Sequence, residues 1–250
     1  MKRALQTLAL AVAAVMMLTA ALAQDRLIST AEGLIETVPI EGVLKRPDGV
    51  NPHKASFALH YRYPQFEAST ETDQAINRYY QALADDMAHA PLMDEWEEAS
   101  ISCEVTHNTQ RYLSVVQMLT TQSGNGQRET ISADTFARDG VYAGQPLSLS
   151  QILGLEENSE LSTELSMAET LAYELVWQMV ERDMQSGDGD YPEGLTLENL
   201  RAVFMPETDF YLDADGNIVF FIQAGDLAGE IAGVLRFPFA AAELLSVMQE

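Results

Sequence analysis

This chain has one cysteine, four histidines, and only 14 lysines and arginines against 38 aspartates and glutamates in 250 residues. Each shortage removes a class of explanation. With Cys103 alone, no intramolecular disulfide can form, so stability has to come from burial. Cys103 alternates with Ile101 and Val105 in a strand-like stretch and reads as a small buried hydrophobe rather than a nucleophile. The histidines, His53, His60, His89 and His107, supply no i, i+4 pair and no H-E-x-x-H, so no metal site is expected. There is no G-x-S-x-G elbow and no phosphate-cradling glycine loop. No catalytic residue, metal ligand or cofactor is assigned. A nucleophile and a histidine brought together only by the fold need no adjacency and stay open. The formal charge of −24 repels nucleic acid and anionic membrane surfaces and attracts cationic partners. Solubility alone explains it equally well.

Long apolar runs are also missing, with one exception at the start. Lys2 and Arg3 precede an uncharged stretch from Leu8 to Leu18, and Ala21-Leu22-Ala23 supplies the small-residue pattern of a signal-peptidase site. Residues 1–23 are read as a signal peptide cut between Ala23 and Gln24, making the protein exported, either secreted or associated with the cell envelope. The alternative is an uncleaved anchor, since Ala4 to Ala23 is just long enough to cross a bilayer. No cysteine follows that could carry a lipid. Cleavage removes Lys2 and Arg3, leaving 227 residues with 12 basic and 38 acidic side chains, a net of −26 and no membrane span. That length supports a real core.

Residues 24–52 hold Gly33, Gly42, Pro47, Gly49 and Pro52 among short apolar alternations, and are read as an extended N-terminal arm with at most one edge strand. Phe57, Leu59, Tyr61 and Tyr63 alternate with Ala58, His60 and Arg62 as a half-buried strand stopped by Pro64. Thr70 and Asp73 have capping-box spacing, and Ile76, Tyr80, Leu83 and Met87 then form one helical stripe before Pro91. Strand-like runs at Ile101–His107, Tyr112–Thr121 and Glu129–Ala137, with a turn at Gly124-Asn125-Gly126, predict an antiparallel meander. Beyond Gly140–Pro146, the spacing of Leu161, Leu165, Ala168, Ala172, Leu175 and Met179 predicts the longest helix, capped at Asn158 or Ser159. Its broad stripe points to packing against a sheet. An acidic loop, Ser186-Gly187-Asp188-Gly189-Asp190, closes it. Phe210–Leu212 and Ile218–Ile222 flank Asp213-Ala214-Asp215-Gly216-Asn217 as a hairpin. Asp213, Asp215 and Asn217 resemble a calcium loop, but Ile218 stands where its glycine belongs. A run at Ile231–Phe239 and a short helix carrying Leu244, Leu245 and Met248 finish the chain. The fold class is α+β: antiparallel sheets with packed helices, in two subdomains (53–145 and 146–250) docked into one compact unit.

Several segments, in order, carry a family resemblance. They are Tyr63-Pro64-Gln65-Phe66, Ile76-Asn77, Tyr112-Leu113-Ser114-Val115 and Thr135-Phe136 with Gly140, then Leu147-Ser148-Leu149 and Ile152-Leu153. Phe210-Tyr211-Leu212 with Asp215-Gly216, Ala232-Gly233, Phe237-Pro238-Phe239 and Leu244 complete the set. Over about residues 50 to 250 the chain resembles the extracytoplasmic region of lysozyme-sensing anti-sigma factors of the RsiV type. That region also occurs as a non-catalytic part of some peptidoglycan deacetylases. The resemblance implies a deacetylase-accessory-like first half and an RsiV C-terminal-like second half. The anti-sigma factors place a sigma-binding segment ahead of a membrane span, and the deacetylases carry a separate catalytic domain. Three residues precede the apolar run here and Glu250 follows closely on the match, so the extracytoplasmic module alone is expected.

The functional expectation is a non-enzymatic cell-envelope binding module whose ligand is a cationic lysozyme-type muramidase or peptidoglycan. Acidic side chains would steer a basic enzyme and a few aromatics would supply short-range affinity. Candidate partner contacts are Asp188, Asp190 and Tyr191 in the acidic loop, with Asp213 and Asp215 at the hairpin tip. Trp96, Trp177 and Tyr191 are the aromatics able to stack on sugar, although Trp177 borders the helix stripe and is expected to pack there. The alternative is a cell-wall hydrolase or esterase with carboxylates or a serine assembled only in the fold. A structural envelope protein without a soluble ligand is the third reading.

Overall fold

A computed structural model describes residues 33–45, 58–89, 98–124, 126–155, 166–240 and 244. The leader with its cut at Ala23 and Gln24, His53, Trp96, Leu245 and Met248 lie outside the described residues.

Strand β1 (Ile40–Lys45) and strand β2 (Ala58–Tyr63) pair antiparallel, and β2 stops at Pro64, which lacks the N–H a ladder needs. Helix α1 (Glu71–His89) opens shortly after. The Thr70 hydroxyl accepts from the Asp73 amide at 3.1 Å, and the Asp73 carboxylate accepts from the Thr70 amide at 3.2 Å. This is the reciprocal cap the spacing predicts. α1 turns Ile76, Tyr80 and Ala84 onto the sheet, with Leu83 and Met87 at the border. Because α1 carries the chain back, β3 (Glu98–Asn108) lies parallel to β2. The first sheet is therefore mixed at this pair, where an antiparallel sheet was expected. β4 (Tyr112–Ser123) and β5 (Gly126–Ala137) complete the meander in the order β1-β2-β3-β4-β5. The arm does supply an edge strand. Gly42 pairs with Tyr61, and a Cβ there would fall 2.0 Å from the Tyr61 hydroxyl, so the ring fills the space a side chain would need.

The second half begins with the short α2 (Leu149–Leu153), capped by Ser148 and ended by Gly154 at φ 68°, a left-handed turn that glycine adopts without strain. The long helix, α3 (Met167–Ser186), is capped by Ser166: its hydroxyl accepts from the Glu169 amide at 3.0 Å, and the Glu169 carboxylate accepts from the Ser166 amide at 2.8 Å. Asn158, Ser159, Leu161 and Leu165 lie outside the described residues, and the cap of the described helix is Ser166. Its buried face centres on Ala168, Ala172, Val176 and Val180, with the predicted Leu175 and Met179 only half-buried. The face is rotated toward the alanines, and the neighbours closest to this helix are the short helix α2 and the segment Leu197–Val203. α4 (Leu197–Val203) follows, and then an antiparallel sheet of β6 (Phe210–Leu212), β7 (Ile218–Ile222) and β8 (Leu235–Phe239). The expected strand from Ile231 starts only at Leu235. Glu230–Ala232 forms a 3-10 turn, Gly233 follows at φ 67°, and Ile231 is left 98 % exposed.

Strand alternation joins the halves. Leu113, Val115 and Phe136 face α1, while the intervening Val116 and Ile131 face the second sheet and cluster with Phe221 and Val234. The Gln223 amide clamps Ile131, accepting from its N–H at 3.0 Å and donating to its carbonyl at 2.7 Å. The Leu212 N–H donates to the Ser114 hydroxyl at 3.0 Å, and His107 Nδ1 lies 2.8 Å from the Asp213 carbonyl. The α+β unit is thus compactly packed: α1 covers one face of the first sheet, and the second sheet covers the β4–β5 part of the other, leaving His60, Arg62, Ser100, Ser102 and Glu104 exposed. No helix among the described residues is long and apolar enough to cross a membrane.

Candidate functional site

Where the two sheets meet, they also part. A groove of about 360 Å³ opens between Glu104, Thr106 and Val116 of the first sheet and Tyr211, Asp213 and Arg236 of the second. Register sets this up. Arg236 pairs with Phe221 across β7 and β8, and so projects from the face that meets the first sheet rather than from the Phe220–Phe237 face. Tyr211 lies over Phe221 with ring centroids 6.5 Å apart. Arg236 Nη1 donates to the Val234 carbonyl at 3.2 Å and the guanidinium also bonds the Tyr211 hydroxyl. Burial pushes the Tyr211 hydroxyl above its ordinary value, Arg236 draws it part of the way back, and the charges of Asp213 and Glu104 push it up again. The phenol stays protonated. Asp213 is committed to the hairpin: its carboxylate accepts from the Asp215 and Asn217 amides and from Asn217 Nδ2, each at 2.9 Å. The exposed Glu104 carboxylate, in contrast, has no hydrogen bond or ion pair among the described residues.

A second cavity, of about 200 Å³, lies at the β5 edge and is lined by Asp134, Thr135, Leu147, Ser148 and Glu207. Burial raises the Asp134 carboxyl above its usual range, opposed by hydrogen bonds from the Tyr79 hydroxyl at 2.7 Å and Gln117 Nε2 at 2.9 Å. Burial also works against the Glu207 charge, but hydrogen bonds led by those from Ser150 and Ser166 win, and its carboxyl falls below the usual range. Glu207 accepts from the Ser150 amide at 2.9 Å, the Ser166 hydroxyl at 2.7 Å and the Ser150 hydroxyl, tying the starts of α2 and α3 to the turn before β6. Two carboxylates shifted apart are the mark of an acid–base pair. Here both are engaged by protein donors, and a carboxylate held low is a weak base for either serine.

The Asp134 environment has a stability consequence. Its folded-state titration lies above its unfolded value, so the associated stability is present in acid and lost as pH rises through the folded value. Asp134→Asn is expected to raise the melting temperature at pH 7, with the two proteins converging below the ordinary aspartate value of 3.8. Gln117 must turn its amide to accept from the new Nδ2, and Tyr79 keeps its acceptor. A lower melting temperature at pH 7 would refute this account.

The sequence-predicted contacts form two separate patches. Asp188 and Asp190 are exposed; Asp188 accepts from the Ser186 hydroxyl at 2.8 Å, and the Asp190 carbonyl accepts from the Gly229 amide at 3.0 Å. Tyr191 is not the exposed aromatic the loop suggested: it is half-buried against the second-half core and bonded to Asp183. Asp213 sits beside His107 instead, with the exposed Asp215 bonded to it in the same turn, and no hydrogen bond or ion pair among the described residues joins the two patches. Trp177 packs at the border of the α3 core. Cys103 is half-buried with its thiol pushed up to about 12, mainly by burial and then by the charge of Asp134, so it is no nucleophile. Among the described residues no group of three or more His, Cys, Asp or Glu could hold a metal ion. Sequence reasoning missed Glu104, Tyr211 and Arg236. The available signal was an arginine at the odd position of the otherwise apolar Leu235-Arg236-Phe237-Pro238-Phe239.

No family model matches the sequence, and no curated protein matches it. Solved structures do. A member of the DUF3298 family from Bacteroides fragilis superposes with a TM-score of 0.51 at 12% identity, covering 84% of this chain and 91% of its own. A DUF3298 family protein from Pseudomonas aeruginosa gives a TM-score of 0.51 at 10% identity, covering 84% of this chain and 92% of its own. At these identities the likeness is one of fold.

Proposed function

We propose that this protein is an exported, non-enzymatic binding module of the cell envelope, built on the RsiV-like ectodomain plan. Its ligand is a cationic lysozyme-type muramidase or peptidoglycan. The observation that carries the reading is the formal charge of −24, with Asp188, Asp190 and Asp215 presented on exposed loops and turns. Such a field concentrates a basic protein at the surface and speeds its encounter. The DUF3298-like fold is compatible with that plan. The β5-edge cavity favours the other reading, a cell-wall hydrolase or esterase, since it holds Asp134 and Glu207 together. Binding is preferred because protein donors already occupy both carboxylates.

Calorimetric titration with a basic lysozyme at about 20 and about 200 mM salt tests the proposal, since the Debye length falls severalfold across that range. Saturable binding that weakens at the higher salt is expected. Absence of binding at both salts would end the muramidase reading. Release of sugar or acetate from purified peptidoglycan would replace the binder with a hydrolase.

A further inference from the structure

We infer that the groove between the two sheets binds a small zwitterion, an amino acid or a dipeptide, with its carboxylate on Arg236 and its ammonium on Glu104. The volume of about 360 Å³ falls at the small end of ligand pockets, enough for a molecule of that size. The charges narrow the chemistry. Arg236 is an arginine in a chain with 38 carboxylates, yet among the described residues it makes no ion pair; it holds only the Val234 carbonyl and the Tyr211 hydroxyl. A guanidinium so engaged keeps donors over, in the fork that suits a carboxylate. Across the groove, Glu104 is equally unpaired. Two opposite charges that line one cavity without pairing leave room for a ligand that bridges them.

Simple ions fit less well. A lone anion meets Arg236 but also Glu104 and the turn-held Asp213; a lone cation meets the guanidinium. A molecule with both charges satisfies each wall. Val116, Tyr211 and the Phe221 beneath it provide an apolar floor for its carbon atoms. Asp213 cannot swing onto the ligand, because three donors fix its carboxylate, so its charge only biases the ammonium toward its own side. This inference stands apart from the muramidase reading, and neither depends on the other.

The test is calorimetric titration of the full-length protein with alanyl-alanine, its N-acetyl form and its C-terminal amide. The free dipeptide is expected to bind saturably and about tenfold more tightly than either blocked form, as one charge-assisted contact would give. Arg236→Met should erase the preference over the amide, and Glu104→Gln the preference over the acetylated form. Glu104 is exposed and without a hydrogen bond among the described residues, so its variant should keep the parent melting temperature. Arg236→Met gives up the bonds to Val234 and Tyr211, and is checked for folding by an unchanged far-UV circular dichroism spectrum and a cooperative melt. No saturable binding of alanyl-alanine, equal binding of all three peptides, or binding indifferent to both substitutions would each overturn the inference.

Discussion

Replacing Arg138 with methionine is expected to lower the stability of the fold by about 3–5 kcal/mol at pH 7, read as a fall in the urea midpoint. The Asp73 side chain is only 2 % exposed, and Arg138 Nη2 donates to it at 3.3 Å. Arg138 Nη1 also donates to the Thr109 carbonyl at 2.6 Å, and its backbone N–H to the Arg111 carbonyl at 2.8 Å. One side chain therefore fastens the start of α1 to the β3–β4 turn and the end of β5. Methionine fills the same volume but leaves a buried carboxylate without its cation. The pH dependence separates this cause from simple loss of packing. Burial pushes the Asp73 carboxyl up, but the Thr70 hydrogen bond, the Arg138 charge and the Ser69 hydroxyl outweigh it, holding it below its ordinary value of 3.8. Stability from a depressed carboxyl is present above the unfolded value and lost as pH falls through the folded one. The gap between native protein and variant should accordingly narrow in acid, where Asp73 is neutral in both. A cost below about 1 kcal/mol at pH 7, or one that never narrows as the pH is taken down from 3.8 until the native protein itself unfolds, would show that the pair does not act this way.

The parts legible in the sequence are those decided by neighbours along the chain. Thr70 and Asp73 are three residues apart and their cap follows from that spacing alone. The Asp213–Asn217 turn and the alternation of β4 and β5 are equally local. What failed depended on distant packing. The parallel pairing of β2 with β3 is set by α1 crossing the sheet, which no residue of either strand announces. Tyr191 reads as a loop aromatic until the loop folds it against α3, and the 3-10 turn at Glu230–Ala232 takes the front of an apolar run out of its strand. Ser166 caps α3, with Glu169 answering it from the third position, while Asn158 and Ser159 lie outside the described residues. The groove was the least legible feature. Glu104 and Arg236 come from different sheets, and nothing but the docking of those sheets brings them to one cavity. The same holds for Asp134 and Glu207 at the β5 edge.

That docking is the subject of the second large effect. Phe220→Ala is expected to remove about 3–5 kcal/mol, because the ring is fully buried and its loss leaves a cavity. Phe220 stands edge-on to Phe204 at 5.5 Å, Phe204 stands edge-on to Tyr173 at 5.7 Å, and Phe239 lies 5.9 Å from Phe220 on the other side. The core so disturbed is not confined to the second half. Tyr112 and Ala137, from β4 and β5, belong to the same cluster, while Val116, Ile131 and Phe221 bridge the sheets beside the Ser114 and Gln223 hydrogen bonds. If those contacts couple the halves, the variant should unfold in one transition by every probe. Hydrogen exchange gives the residue-level check: the amides of Leu113 and Val115 in β4 should lose protection by the same factor as those of Val219 and Phe221 in β7. Faster exchange in β7 with β4 unchanged would mean that the halves open independently. The groove would then be a seam that opens and closes with their separation, and a ligand bridging Glu104 and Arg236 would stabilise the docked form.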